Sequence, residues 1–304
     1  MAQQGGGRLP VIDLHSDRKT VVLQLRQASR DLGFFQITNH GISSVPEALA
    51  AAKDFYAQPL EAKNRHRLVY AKQGELLRGY ASLGSEQADV ANLSLTRDAV
   101  PDLMESFQIA DPRFVDGSQF PTPAMRSTLV PLFRQMTGQG QELLALLAEA
   151  LPDERGGEED GGVFARRHTG RSRTVLRVTR YPALSSCCAP AGKAAPAPAS
   201  ASESGGTVSR ISAHRDLGSL TLLQQDSQGG LEVQDPASGE WVPVPPVPDA
   251  LVVNVGNLLT RWTAGYFRSS VHRVVASTDV SSQCVFERSH TYCSRRGHPT
   301  VLLD

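Results

Sequence analysis

The residues best suited to chemistry are a histidine and an aspartate separated by one residue, in His214-Arg215-Asp216. At the end of a β-strand, residues i and i+2 point to the same side, so the imidazole and the carboxylate can bind one metal ion while Arg215 points away. A further ligand from a distant strand would complete a two-histidine, one-carboxylate set. Such a set leaves coordination positions open for substrates and suits the oxygen chemistry of Fe(II).

This triplet is not diagnostic by itself. With 8 histidines and 31 acidic residues in a chain of 304, about 0.8 His-x-Asp/Glu matches are expected by chance. The ordinary alternative is a histidine at a strand end beside a solvated aspartate. The interpretation therefore depends on the elements that would position the pair.

Near the start of the chain, strand and helix patterns alternate. Residues 9–14 predict a short strand, and the next apolar residues fall on one helix face, which Gly33 is placed to end. That face is formed by Val21, Leu25, Ala28 and Leu32. Residues 34–37 have strand composition, and Asn39-His40-Gly41 is a turn signal.

Two further helices are predicted before residue 150. Ser44 and Glu47 match a capping box at the start of the first. This helix would bury Ala48, Ala52, Phe55 and Tyr56. The second covers residues 124–150, with interruptions at Gly138 and Gly140, and ends in a strongly apolar run.

The second half of the chain has a β-rich pattern. Residues 174–181 alternate and predict a strand, whereas residues 183–206 are rich in alanine, proline and serine. We expect that segment to be a disordered insertion, because it cannot bury enough apolar surface to offset its ordering entropy. Short apolar runs separated by turn residues then indicate a β-sandwich or barrel. The runs are 219–223, 231–233, 241–244, 251–255, 272–276 and 283–286.

Composition narrows the class of protein. The 31 basic and 31 acidic residues balance, which gives no reason to expect nucleic acid or a membrane surface as a partner. The four cysteines, Cys187, Cys188, Cys284 and Cys293, are too few and too scattered for a disulfide framework. No apolar run has the length of a signal peptide core or a membrane helix. We expect a soluble, cytoplasmic protein.

Longer blocks of sequence carry a family resemblance. They include Pro10–Leu14, Gly33–Gly41, Arg78-Gly79-Tyr80, Glu105-Ser106-Phe107, Ile211–Leu223, Gly229–Val233, Trp241–Val244, Asn254–Asn257 and Arg268–Val274. Their order across residues 9–288 resembles the isopenicillin N synthase-like branch of the 2-oxoglutarate/Fe(II) oxygenases. The resemblance implies an α+β protein with a mainly β core, a double-stranded β-helix (jelly roll) preceded by a helix-rich region. The two parts would span residues 9–150 and 172–289.

The resemblance also implies the metal ligands. His214 and Asp216 match the first two iron ligands of the family, and His272, in Ser270–Val274, matches the third. The other histidines lack such context and are interpreted as structural or surface residues. They are His15, His40, His66, His168, His290 and His298.

The cosubstrate residues follow the family pattern less closely. In this family an Arg-x-Ser pair on a late strand binds the distal carboxylate of 2-oxoglutarate, and a guanidinium can do so with two parallel hydrogen bonds. Arg288 matches the arginine, but Ser289 follows it directly, which on a strand turns the hydroxyl to the opposite face. Tyr181, before Pro182, resembles the family tyrosine that helps to hold the cosubstrate.

The tail, residues 290–304, departs from the family and shows neither helical nor strand periodicity. We hypothesise that it arises from a shifted reading frame or an alternative transcript; the absence of a family-like continuation in any genomic frame would refute this. Missing strands would leave sheet edges unpaired.

The implied activity is that of a dioxygenase. It would use Fe(II), dioxygen and 2-oxoglutarate, convert the latter to succinate and carbon dioxide, and oxidise, usually by hydroxylation, a small organic molecule. Two alternatives stay open at this stage. One is an isopenicillin N synthase-like oxidase that needs no 2-oxoglutarate, and the other is a non-catalytic or truncated family member.

Overall fold

The structure, a computed structural model, describes residues 9–68, 78–86, 102–113, 117–152, 164, 174–183, 208–276 and 282–289. The described helices are α1 (Arg18–Asp31), α2 (Val45–Tyr56), α3 (Leu60–Asn64), α4 (Pro123–Glu149) and α5 (Asn257–Trp262). The described strands are β1 (Val11–Asp13), β2 (Phe34–Thr38), β3 (Gly79–Ala81), β4 (Glu105–Ala110), β5 (Val175–Tyr181), β6 (Val208–His214), β7 (Leu220–Gln225), β8 (Leu231–Gln234), β9 (Trp241–Pro243), β10 (Leu251–Val255), β11 (His272–Ala276) and β12 (Ser282–Ser289). The predicted insertion, beyond Ala183, and the predicted tail lie outside the described residues.

The strands form two sheets. The large sheet has the order β1-β2-β10-β7-β12-β5-β4-β3, and the small sheet has the order β6-β11-β8-β9. All these neighbours are antiparallel except β1 and β2, which are parallel. From β5 onward, successive strands are divided between the two sheets, as the predicted jelly roll requires.

Each face of the large sheet has its own core. On one face, Phe34 and Val252 pack against Leu231 and Val233 of the small sheet, which holds the two sheets together. On the other face, residues of β2, β4, β5, β7 and β10 share one buried cluster with α1, α2 and α4. The interior between the sheets is therefore separated from the helices by the large sheet.

Most predicted elements of the N-terminal part are confirmed. The predicted face of α1 is buried at Val21, Leu25 and Ala28. Leu32 caps this helix, and Gly33 follows with a φ of 70°. In α2 the four residues predicted to be buried are buried.

Two predictions about these helices were wrong. Ser44 is the N-cap of α2, but its side chain makes no capping hydrogen bond, so the capping box does not form. The predicted interruptions of α4 are also absent: this 27-residue helix continues through Pro131, Gly138 and Gly140. A helical glycine costs only about 1 kcal/mol relative to alanine. The buried face of α4, including Leu129, offsets that cost.

The late strands confirm the predicted β-rich half, and β10 and β11 have the predicted bounds. Within the described part of the chain, no helix is both long enough and apolar enough to cross a membrane.

Candidate metal centre

The fold brings the three predicted ligands together. His214 is the last residue of β6 and His272 is the first residue of β11, and the two are directly paired across these strands. Asp216 lies two residues beyond the end of β6. One ligand atom of each side chain lies within 4.8 Å of those of the other two, and all three residues are buried. Arg215, between two of them, is exposed, as predicted.

Both imidazoles are oriented in the same way. Nδ1 of His214 lies 2.9 Å from the carbonyl oxygen of Ser212, and Nδ1 of His272 lies 3.2 Å from that of Ser270. A carbonyl oxygen only accepts, so each Nδ1–H donates and each neutral ring keeps its lone pair on Nε2. The ring of Phe34 packs edge-on against His272, with 5.1 Å between the centroids. The two Nε2 atoms are therefore available to one ion.

One carboxylate oxygen of Asp216 accepts hydrogen bonds, and the other faces the two histidines. Its Oδ2 accepts hydrogen bonds from Thr221 Oγ1, at 2.5 Å, and from Asn254 Nδ2, at 2.8 Å. Its Oδ1 lies 3.8 Å from Nε2 of His214 and 3.9 Å from Nε2 of His272. Two imidazole nitrogens and one carboxylate oxygen at this spacing suit a single Fe(II), bound on one side with open positions opposite.

The main chain around Asp216 is held by the start of α5. The amide of Asn257 donates to the carbonyl of Asp216, at 2.7 Å, and the amide of Leu258 donates to that of Gly218, at 3.0 Å. A Cβ at Gly256 would lie 2.1 Å from the carbonyl oxygen of Gly218. Glycine is therefore needed at position 256 for this close approach.

Thr221, Asn254 and Gly256 were not assigned a role by sequence reasoning. They lie within blocks that carry the family resemblance, but no local spacing rule connects them with Asp216. Their role depends on the pairing of β7 with β10, in which Thr221 and Asn254 are opposite each other.

The structure separates the two predicted cosubstrate residues. Tyr181 is buried and packs with Met104 and Ile211, and its partner on β12 is Ser282. Arg288 is paired with Val175. Val175 and Tyr181 are the two ends of β5, a separation of about 20 Å at about 3.3 Å per residue.

Position 288 is connected through β7 with the predicted ligand Asp216. Its partner on β7 is Thr221, the residue bonded to Asp216, and the partner of Ser289 is Leu220. Arg273 contacts Glu232 at 2.7 Å and lies over the ring of Trp241, 4.0 Å from its centroid. Because successive residues of a strand point to opposite faces, Arg273 faces away from the side chain of His272.

Of the other histidines, His15 is exposed, and His40 and His66 are partly exposed. His40 is part of a tight connection, as predicted, with Asn39 at a φ of 56° and Gly41 at 70°. His168, His290 and His298 lie outside the described residues.

A jelly roll with a buried two-histidine, one-carboxylate cluster defines the class of mononuclear non-haem iron enzymes. Family comparison agrees with this. The model of the 2OG-Fe(II) oxygenase superfamily matches residues 177–288. The model described as non-haem dioxygenase in morphine synthesis N-terminal matches residues 9–124.

Individual proteins give the same result. The 2-oxoglutarate-dependent dioxygenase citB of Monascus ruber is 32% identical over 295 residues, covering 88% of this chain and 80% of that protein. Clavatol oxidase claD of Penicillium crustosum is 31% identical over 280 residues, covering 84% and 75%. The fold matches the dioxygenase for auxin oxidation 1 of Arabidopsis thaliana, solved as a complex with 2-oxoglutarate, with a TM-score of 0.71, 22% identity and coverage of 98% of each chain.

The chain belongs to the 2-oxoglutarate/Fe(II) oxygenase superfamily. It is a 2-oxoglutarate-dependent dioxygenase that uses Fe(II) and oxidises a small molecule. These findings favour the 2-oxoglutarate-dependent activity over both the cosubstrate-free and the non-catalytic alternatives.

Proposed function

We propose that Nε2 of His214, Nε2 of His272 and Oδ1 of Asp216 hold the Fe(II) of this dioxygenase. The observation that carries the proposal is the convergence of these three buried side chains, with ligand atoms within 4.8 Å of one another. The hydrogen bonds to both Nδ1 atoms and to Oδ2 support it, because they leave one ligand atom on each side chain for the ion.

When bound, Fe(II) and 2-oxoglutarate supply the oxidising chemistry, in which 2-oxoglutarate becomes succinate and carbon dioxide and the organic substrate is oxidised by dioxygen. The chain's own residues bind and orient. The imidazoles must be neutral to bind the ion, so metal binding weakens in acid. No acidic or basic side chain is required to move a proton.

The cosubstrate residues are proposed separately, because their positions are about 20 Å apart along β5. Arg288 is proposed as the carboxylate anchor because it is in register with Thr221, beside the metal ligands. Tyr181 is proposed to contact the cosubstrate from the interior face of β5, where it is buried against the small sheet.

The prime substrate is proposed to be a small organic molecule, hydroxylated with dioxygen in a cytoplasmic enzyme that binds neither nucleic acid nor membrane. Clavatol oxidase is named for a small molecule, and a full-length Neurospora crassa protein of the same fold has been solved with alpha-KG and thymine. Both descriptions support a small prime substrate.

The test is anaerobic addition of Fe(II) and 2-oxoglutarate to the purified chain, followed by the visible charge-transfer band of their chelate. We expect a band that is lost in His272→Ala and kept in His66→Ala, a partly exposed histidine outside the cluster. Arg288→Ala should weaken the band at limiting 2-oxoglutarate, and the exposed Arg65→Ala should not. A folded chain that gives no band would contradict the metal assignment.

The two cosubstrate residues are distinguished by titration with 2-oxoglutarate. The half-saturating 2-oxoglutarate concentration is the measured quantity. If it is unchanged in Arg288→Ala and raised in Tyr181→Phe, Arg288 is not part of the cosubstrate site and Tyr181 is.

A further inference from the structure

The interior face of β5 is polar at two positions. Arg177, Thr179 and Tyr181 alternate along the strand with Leu176 and Val178, which lie in the core under the helices. Tyr181 packs against Ile211 of the small sheet, which shows that this face looks into the space between the sheets. Arg177 and Thr179 therefore face that space as well.

A carboxylate covers this face. Glu86 accepts hydrogen bonds from Ser106 Oγ at 2.7 Å and Gln108 Nε2 at 3.1 Å, both on β4. It also accepts one from Arg177 at 2.9 Å, and the side chains of this ion pair are only 15% and 16% exposed. We call Glu86, Ser106, Gln108, Arg177 and Thr179 the polar wall.

The polar wall and the metal ligands belong to the same interior. Thr221, which holds Asp216, is paired with position 288 of β12, and position 288 is paired with Val175 of β5. Arg177 lies on the same face of β5 as Val175, two residues further along. Since β12 alone separates β5 from β7, Arg177 lies about 10 Å across the sheet from Thr221 and about 7 Å further along it.

The wall has a polar group with no partner in the described part of the chain. The Oγ1 of Thr179 is fully buried and makes no hydrogen bond there, and the residue is 0% exposed. A buried hydroxyl without a partner costs free energy, which a bound molecule would recover by bonding to it. This points to a ligand that reaches the wall.

The charges near the wall balance within the described residues. Glu86 neutralises Arg177. Asp102 and Arg210 are also buried with opposite charges, and they lie close by, because the amide of Asp102 donates to the carbonyl of Glu86 and the amide of Leu103 to that of Arg210. A second anion or cation brought here would lose its hydration without gaining an unmatched counter-charge among the residues that the structure describes.

The geometry points to a prime substrate that is an uncharged molecule with an apolar body and one hydrogen-bonding group, selected by the Glu86–Arg177 pair. The apolar body would pack on Met104, Tyr181 and Ile211, which lie beside the wall. The hydrogen-bonding group would reach Thr179 and the ion pair. This inference rests on the proposed function, because it assumes that the substrate enters between the sheets beside the metal.

The test compares two probes of equal shape, benzamide and benzoate, by their dissociation constants for the full chain without added metal. We expect the native chain to bind benzamide at least tenfold more tightly than benzoate. In Glu86→Gln the guanidinium of Arg177 loses its counter-charge, and benzoate should gain at least tenfold. Glu232→Gln is the matched control, because Glu232 forms an equivalent ion pair with Arg273 away from this wall.

If Glu86→Gln does not fold, Arg177→Gln provides a second test. In Arg177→Gln the carboxylate is left uncompensated, so the cationic probe benzylamine should gain at least tenfold over the native chain. If neither variant gains affinity for its probe, or if the native chain prefers benzoate, the inference is overturned.

Two further measurements separate this inference from the proposed function. If Arg177→Gln needs a higher 2-oxoglutarate concentration for half-saturation but keeps the probe preference of the native chain, Arg177 is a cosubstrate anchor. That result would also overturn the inference about the prime substrate. The charge-transfer band tests the proposed function independently, because the probe constants are measured without the metal.

Discussion

At the scale of single residues, the two oxygens of Asp216 have different tasks. Oδ2 is held by Thr221 and Asn254, while Oδ1 lies nearly equidistant from the two imidazoles, at 3.8 and 3.9 Å. Donors behind a metal ligand fix its orientation, and their loss typically weakens metal binding about 10- to 100-fold.

We therefore predict that Thr221→Val weakens binding of Fe(II) or Co(II) by about 10-fold or more, because valine keeps the shape and removes the hydroxyl. Anaerobic calorimetry measures it. Thr128→Val, on α4 at the helix side of the large sheet, is the control, since its hydroxyl bonds, among the described residues, to carbonyls of its own helix. Unchanged affinity in Thr221→Val would show that Asn254 alone orients the carboxylate.

His40 gives a prediction about pH. Its Nδ1 accepts from the amide of Ile42, at 3.1 Å, and its Nε2 therefore donates to the carbonyl of Asp249, at 3.1 Å. Burial lowers the pKa of His40 below its usual range. The unfolded chain then binds more protons, so the stability from this group is present above about pH 6.5 and is lost as pH falls toward the lower folded pKa.

The expected result is a smaller loss of unfolding free energy between about pH 7.5 and about pH 5.5 in His40→Gln than in the native chain. Urea unfolding at the two pH values measures it, with the exposed His15→Gln as control. If the native chain and both variants lose the same unfolding free energy between the two pH values, His40 does not contribute to acid sensitivity.

At the scale of elements, a buried ion network joins α3 to the edge of the large sheet. Glu105 of β4 accepts from Lys63 Nζ at 2.7 Å, from the Tyr80 hydroxyl at 2.5 Å and from Arg180 at 2.8 Å. Burial, and then the hydrogen bond to Glu105, raise the pKa of Tyr80 above its usual range, so its hydroxyl stays a donor.

Glu105→Gln should lower the unfolding free energy by about 3–5 kcal/mol, because the buried ammonium of Lys63 would lose its counter-charge. Denaturant unfolding measures the change. Glu61→Gln is the matched control. Glu61 is on α3, the helix that carries Lys63, and its ion pair with Arg65 is 4.0 Å long and highly exposed. That control should change stability by less than about 1 kcal/mol. Similar values for both variants would contradict a stabilising role for the network.

At the scale of the whole molecule, the large sheet contains strands from both sequence regions. Strands β1 to β4 come from the N-terminal region, and β5, β7, β10 and β12 come from the later region. Strand β10, which carries Asn254, lies between β2 and β7. The cluster of His214, Asp216 and His272 is thus supported by a sheet to which both regions contribute.

We predict that metal binding protects both regions against hydrogen exchange. A ligand that binds only the native state stabilises it by about 2.7 kcal/mol at a concentration about 100 times its dissociation constant. Amide exchange, measured with and without Co(II), should slow in β2 and α4 as well as in β6 and β11. His272→Ala, which lacks one proposed ligand, provides the control, because Co(II) should not slow its exchange. Slowing confined to residues 208–276 would mean that the two regions open independently.

The sequence by itself determined the local features. Hydrophobic periodicity placed α1, because burial on one face imposes a period that is visible without the partner, whereas strand composition and short apolar runs placed β2, β10 and β11. The separation of His214 and Asp216 made a shared ion feasible, and the family pattern supplied His272. Where the local signal misled at Gly138, packing of the long apolar face of α4 outweighed the propensity of one residue.

The tertiary structure decided which distant residues meet. The support of Asp216 by Thr221 and Asn254 depends on the register of β7 against β10, and the contact of Glu86 with Arg177 joins residues 91 positions apart. The separation of Tyr181 from Arg288 likewise depends on the register of β12 with β5. Such pairings follow from closing two sheets over one interior, and no short-range pattern encodes which strands become neighbours.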